Sequence, residues 1–366
     1  MNTSLKIPFY AKAALILISV FALVYTLQVG QHIIIPILYA TIVAILLNPV
    51  VNFLIRKGTN KIIAIFVAVI LAILVVFGIL FIISSQLTMF SETLPQLKVK
   101  FSLAMADLVH WISNKMNISE PRITTWLSDT ENKLISNFAI GEKITEVGRM
   151  LMVCVLLPVY LFMILYYKSL LLEFIRKLFR AEHHIAVLEV LIKSKKIIQS
   201  YLIGLFIEML IIAILNSVGL LLIGIDYAII LGITGAILNI IPYLGGILAT
   251  AIPMLIAFVT KDSSSYPLLV LIVYLFIQFF DNHYVIPYVV AKRVKINALM
   301  SVIVVIIGGA LWGISGMFVS IPLTAILKVI FDHIEPLKPW GFLLGNIVPT
   351  ASRFNFMRKK SNSSHT

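Results

Sequence analysis

Residues 227–260 read YAIILGITGAILNIIPYLGGILATAIPMLIAFVT, 34 residues without an Asp, Glu, Lys or Arg. Crossing the hydrocarbon core of a bilayer takes about 20 residues of helix. The run is therefore too long for one upright span and too short for two. Its middle, Asn239-Ile240-Ile241-Pro242-Tyr243-Leu244-Gly245-Gly246, is a poor helix former, because the proline lacks an amide donor and the glycine pair permits a tight turn. Two half-length arms around that break predict a re-entrant helical hairpin. A second uncharged run, 296–327, has 32 residues and is broken by Gly308-Gly309 and by Gly313-Ile314-Ser315-Gly316. Irregular backbone at membrane depth survives only where protein or a wet cavity satisfies it. Each hairpin tip is thus expected to line a cavity and not to face lipid.

The rest of the chain reads as membrane protein too. Of its 366 residues, 60 % are AVILMFWYC and 12 % are charged, with a mean hydropathy of +1.05. So few charges cannot cover a soluble fold of this size, and disorder, collagen and coiled coil are excluded on the same ground. Uncharged runs at 13–29, 33–51, 62–83, 150–167, 201–224 and 266–290 predict full spans, the last two interrupted by single acids. The first is not followed by a small-residue cleavage site and reads as a retained helix. The expected fold is an all-α polytopic membrane protein with six full transmembrane helices, two re-entrant helical hairpins and an extramembrane helical arm.

The chain divides accordingly. Residues 1–83 carry three spans. Residues 84–148 form a periplasmic helical region, in which Leu94, Leu97, Phe101, Met105, Leu108, Ile112 and Met116 recur as one helical stripe. Residues 149–200 hold the fourth span and a basic cytoplasmic helical loop. Residues 201–331 form a transport core, and 332–366 a cytoplasmic segment ending in a disordered basic tail. The lone Cys154 rules out an intrachain disulfide, and His183-His184 have no third ligand in reach, so no metal or cofactor is expected.

The net charge of +13 is a topology signal. If both long runs crossed the bilayer completely, Lys292, Arg293 and Lys295 would fall outside, against the positive-inside rule. If both re-enter, the cytoplasmic side carries 21 basic and five acidic residues and the outer side eight basic and nine acidic. Both termini are then cytoplasmic, and no nucleic-acid partner is needed to explain the basic balance. This topology also exposes an inverted repeat. Asp226 precedes Gly246 by 20 residues and Asn297 precedes Gly316 by 19; Pro253 and Pro322 follow those glycines by seven and six. Inverted repeats with broken helices mark secondary transporters, whose sites lie at the repeat interface.

Two ionisable side chains remain inside spans, Glu208 and Asp281. Such residues are costly and are functional candidates by default. On a regular helix Tyr274, Gln278, Asp281 and Asn282 fall within an arc of roughly 100°, and Glu208 and Asn216 about 80° apart. These polar faces suit a proton or cation relay or a solute lining; interhelical hydrogen bonding is the structural alternative. Asn239, Pro242, Gly245 and Gly246 at one tip, and Gly313 and Gly316 at the other, complete the candidate substrate path. Phosphate-binding glycine loops, zinc-protease helices and nucleophile elbows are absent from the sequence, so it is not read as an enzyme.

Asn239 through Gly245 resembles the N-x-I-P-Y-x-G signature of the autoinducer-2 exporter family. Asp281-Asn282 with Pro287 resembles its D-N-x-x-x-x-P signature, and Gly308–Gly316 with Ile321-Pro322 looks like its last block. The resemblance covers most of the chain and departs at Gly204, which is followed by Leu205 where many relatives carry Gln. It implies a bacterial inner-membrane protein, a homo-oligomer, and export of the quorum-sensing furanone. Other members resemble sodium or lithium/proton antiporters. The expected function is export of a small polar solute of the autoinducer-2 type, coupled to an ion or proton gradient. A monovalent cation/proton antiporter is the alternative and a non-transporting scaffold the lesser one.

Overall fold

The structure is a computed structural model that describes residues 8–116, 156–242, 244–261, 263, 265–291 and 296–346. These are almost wholly helical. Helix α1 (Phe9–Val29) turns at Gly30 into α2 (Gln31–Arg56), and α3 runs from Lys61 to Met116. Helix α4 (Leu156–Tyr166) bends by 67° into α5 (Lys168–Leu178). Then come α6 (His184–Ile223), α7 (Ala228–Asn239), α8 (Leu244–Thr260), α9 (Ser265–Phe280), α10 (Ala298–His333) and α11 (Lys338–Leu344). Among the described residues six helices are long and apolar enough to cross a membrane. Five contain predicted full spans. The sixth is α10, the second predicted hairpin.

Two element boundaries differ from expectation. The third span was expected to stop near Ile83, but α3 continues for 56 residues without a break, a rod of about 84 Å at 1.5 Å per residue. The stripe from Leu94 to Met116 is therefore the continuation of a span. The basic loop 168–196 is likewise joined to a span: after α5, helix α6 begins at His184 and enters the fifth span directly. Residues 117–148 of the predicted arm, Cys154 and the basic tail lie outside the described residues.

Small residues bring the spans together in two cores. Ala40, Ala44, Ala64 and Ala68 let α2 and α3 approach each other, and Leu161 and Leu165 of α4 close that cluster. Leu220, Ala228, Leu231, Ala249, Ile256 and Val270 join α6 to α9 in the second.

Both long apolar runs fold back on themselves. In the first, Ala249 of α8 lies 3.5 Å from where a Cβ on Gly235 of α7 would stand. In the second, α10 breaks at Trp312-Gly313, where Gly313 takes φ +60° and ψ −141°. A Cβ on Gly308 would lie 3.0 Å from Ser320 Cβ; in a continuous helix twelve residues would separate them by about 18 Å. Gly313 is at the turn because β-carbon-bearing residues avoid that backbone conformation. Gly313→Val is expected to destabilise the protein by about 1–3 kcal/mol, read as a lower melting temperature in detergent, although the position faces open space.

The base of each hairpin is tied. Lys261 forms a 3.1 Å ion pair with Asp226, and Lys100 of α3 donates to the Lys261 carbonyl at 3.2 Å. At the second hairpin Asn297 caps α10 by accepting from the Met300 amide at 2.8 Å. It also donates to the Leu343 and Gly345 carbonyls. Trp312 at the turn donates its indole N–H to the Leu27 carbonyl at 3.0 Å, using an acceptor left open in the last turn of α1. Pro253 and Pro322 are both fully buried.

Candidate functional site

A cavity of about 1040 Å³ lies between α6, the α7/α8 hairpin, α9 with its continuation, and the first arm of α10. The sixth predicted span changes pitch where its acid stands: α9 ends at Phe280, and Asp281–Ala291 is π-helical. Pro287 inside that segment lacks the amide needed to continue α-type pairing. Single π-turns within helices recur at functional sites because they re-aim side chains.

Asp281 is 1 % exposed. Its Oδ2 accepts from Asn239 Nδ2 at 3.0 Å, which joins the sixth span to the tip of the first hairpin. Its Oδ1 is buried and has no hydrogen-bond partner among the described residues. Glu208, 7 % exposed on α6, lines the same cavity. No Lys or Arg is among the described lining residues. Two carboxylates on a largely apolar cavity are costly to leave ionised without a compensating charge. The tip itself is kept close by the absence of a side chain. A Cβ on Gly246 would stand 2.8 Å from Gln278 Oε1 and 3.7 Å from Asn239 Oδ1.

The candidates divide by position. Glu208, Asn239, Pro242 and Gly246, with Tyr274, Gln278, Asp281 and Asn282, line the cavity. Five stand off it. Asn216 is buried in the seam against Gly235. Gly245 is pressed against the Leu238 carbonyl, and Pro287 sits in the π-helical segment. Gly313 forms the second turn, and Gly316 packs against Gly308. Three polar lining residues were not picked out from the sequence: Tyr201, Thr250 and Ser301. Tyr201 lies two turns before Glu208 on α6, a spacing that could have found it. The hydroxyls of Thr250 and Ser301 each return to a backbone carbonyl four residues earlier, Gly246 and Asn297, which makes them inconspicuous in an apolar run. No group of three potential metal ligands occurs among the described residues.

A family model, the AI-2E family transporter, matches residues 14–335. The chain belongs to the AI-2E transporter family. It is accordingly a multi-pass membrane transporter. It is 27 % identical over 320 residues to the transport protein YueF of Bacillus subtilis, an alignment covering 82 % of this chain and 84 % of YueF. It is 23 % identical over 337 residues to the AI-2 transport protein TqsA of Escherichia coli, covering 88 % and 92 % of the two chains. YhhT, a further E. coli transport protein, is 22 % identical over 320 residues.

Proposed function

We propose that this AI-2E transporter exports a small polar solute of the autoinducer-2 type across the bacterial inner membrane, driven by a proton or ion gradient. Both termini are cytoplasmic, and the two hairpins re-enter from opposite faces. The chain works as a homo-oligomer. One observation carries the reading: the tip of the first hairpin is hydrogen-bonded to a buried acid at the head of a broken helix, on the wall of a cavity sized for a small solute. The relative TqsA is named for AI-2 transport, and its alignment spans nearly the whole of both chains. Asp281, Gln278, Asn282 and Asn239 provide hydrogen-bonding partners, and Glu208 a second carboxyl for the coupling ion.

The test is transport in proteoliposomes under an imposed pH gradient, with a panel of polar solutes that includes autoinducer-2. Solute movement that collapses with the gradient is expected. Movement equal to that of empty liposomes for every member of the panel contradicts the reading. A second reading, monovalent cation/proton antiport, draws on the unpaired Asp281 Oδ1 and on the lack of a basic lining residue. It requires a sodium- or lithium-induced response of a pH dye in everted vesicles, and a silent dye removes it.

A further inference from the structure

The cavity has a chemical character beyond being polar at one end. Its charges are all of one sign, Glu208 and Asp281, with no basic side chain among the described lining residues. One carboxylate oxygen, Asp281 Oδ1, is fully buried and lacks a partner. That arrangement repels anions and leaves an acceptor of a full charge-assisted contact unused. The remaining walls are apolar: Ile241, Met254, Leu271, Leu275, Ile286 and Val302. A bare metal ion would leave most of 1040 Å³ unfilled and those walls without a partner. Tyr201 and Tyr274 add aromatic faces, which attract organic cations. The rim is apolar as well. Ile247 and Leu275 are 68 % and 61 % exposed, so the cavity opens through the side of the helix bundle between α8 and α9. In a bilayer that side meets acyl chains.

We propose that the cavity binds amphiphilic organic cations, monovalent ions with an apolar body, which reach it sideways from the bilayer and pair with Asp281. The inference rests on the reading of this cavity as the transport path and names a further substrate class for it. The cationic centre lies on the Asp281 side of the cavity, where the carboxylate attracts it, and the apolar body lies against the aliphatic walls.

The test uses the full-length protein in nanodiscs of zwitterionic lipid, with tetraphenylphosphonium as probe and empty nanodiscs to subtract partitioning. Tetraphenylborate, of nearly the same shape and opposite charge, is measured separately as the control probe. The proposal expects saturable binding of one tetraphenylphosphonium per chain and no saturable binding of tetraphenylborate. It expects tetraphenylphosphonium binding weaker by about tenfold or more in Asp281→Asn, the size of one lost charge attraction in a partly buried site. Asp281→Glu, which keeps the charge, retains binding, and Leu275→Arg at the rim weakens it even where Asp281→Asn fails to fold. The proposal is overturned by no saturable binding above empty nanodiscs, by equal affinity in Asp281→Asn and wild type, or by equal affinity for tetraphenylborate measured alone. If tetraphenylphosphonium does not bind while an uncharged solute is still transported in an Asp281-dependent way, this inference fails and the transport path stands.

Discussion

Asp281→Asn is expected to lower gradient-driven transport sharply and to leave a folded protein in the membrane. The side chain is almost completely buried, holds the hairpin tip through Asn239 and has a second oxygen, also buried, with no hydrogen-bond partner among the described residues. Asparagine preserves its shape and can still accept from Asn239. It removes what the proposed coupling would use, the ability to carry a negative charge and to exchange it for a proton or a cationic group. A contact to a charged partner contributes about 1.5–3 kcal/mol, so the loss in rate is expected to be about ten- to a hundredfold. Glu208→Gln should lower transport less, because Glu208 does not tie the hairpin tip through any hydrogen bond found among the described residues. Initial rates in proteoliposomes, with size-exclusion profiles of the purified variants, separate a transport defect from a folding defect. Wild-type rates in Asp281→Asn would remove this acid from the path.

Gly316→Val prevents the second hairpin from closing. A Cβ at Gly316 would overlap the Gly308 carbonyl oxygen far inside van der Waals contact, and one at Gly308 would lie 2.5 Å from the Gly316 carbonyl oxygen. Both neighbours are backbone, so no side chain can swing aside, and the arms must separate. Overpacking a core costs about 1–3 kcal/mol when side chains can adjust; here the upper end or more is expected, seen as loss of folded protein on extraction. Gly245→Ala should act the same way at the first tip, where the Leu238 carbonyl is the obstacle. Gly78→Ala is the control. It stands on α3 with nothing within 4 Å of the added carbon, and in a helix interior alanine is favoured over glycine by about 1 kcal/mol.

Much of this architecture was legible before any coordinates. The break Asn239–Gly246 and the glycines of Gly308-Gly309 and Gly313–Gly316 announce two fold-backs, because each run is too long for one upright span and too short for two and is broken in its middle. Asp281 and Glu208 stand out because a charge in an apolar run has to be compensated. Helix ends were harder to read. Past Ile83 the composition becomes polar at Ser84-Ser85-Gln86, and that marks where water begins, not where hydrogen bonding stops, so α3 runs on unbroken. The same holds for α6, whose basic first turns and apolar later turns form one rod. The pitch change at Asp281 has only Pro287 as a local cause, six residues away. Thr250 and Ser301 are hidden for another reason. Their hydroxyls satisfy their own helices, and only the packing of four elements brings them to one cavity.

The account rests on two hairpins that re-enter from opposite faces and bring a tip to the cavity. The most direct measurement is the sidedness of single cysteines, placed at Lys261 and at Lys292 in a Cys154→Ser background and labelled with a membrane-impermeant maleimide in intact cells and in everted vesicles. The account predicts that position 261 reacts from outside only and position 292 from the cytoplasmic side only. Labelling of position 292 in intact cells would mean that the runs cross the bilayer completely, and would contradict it.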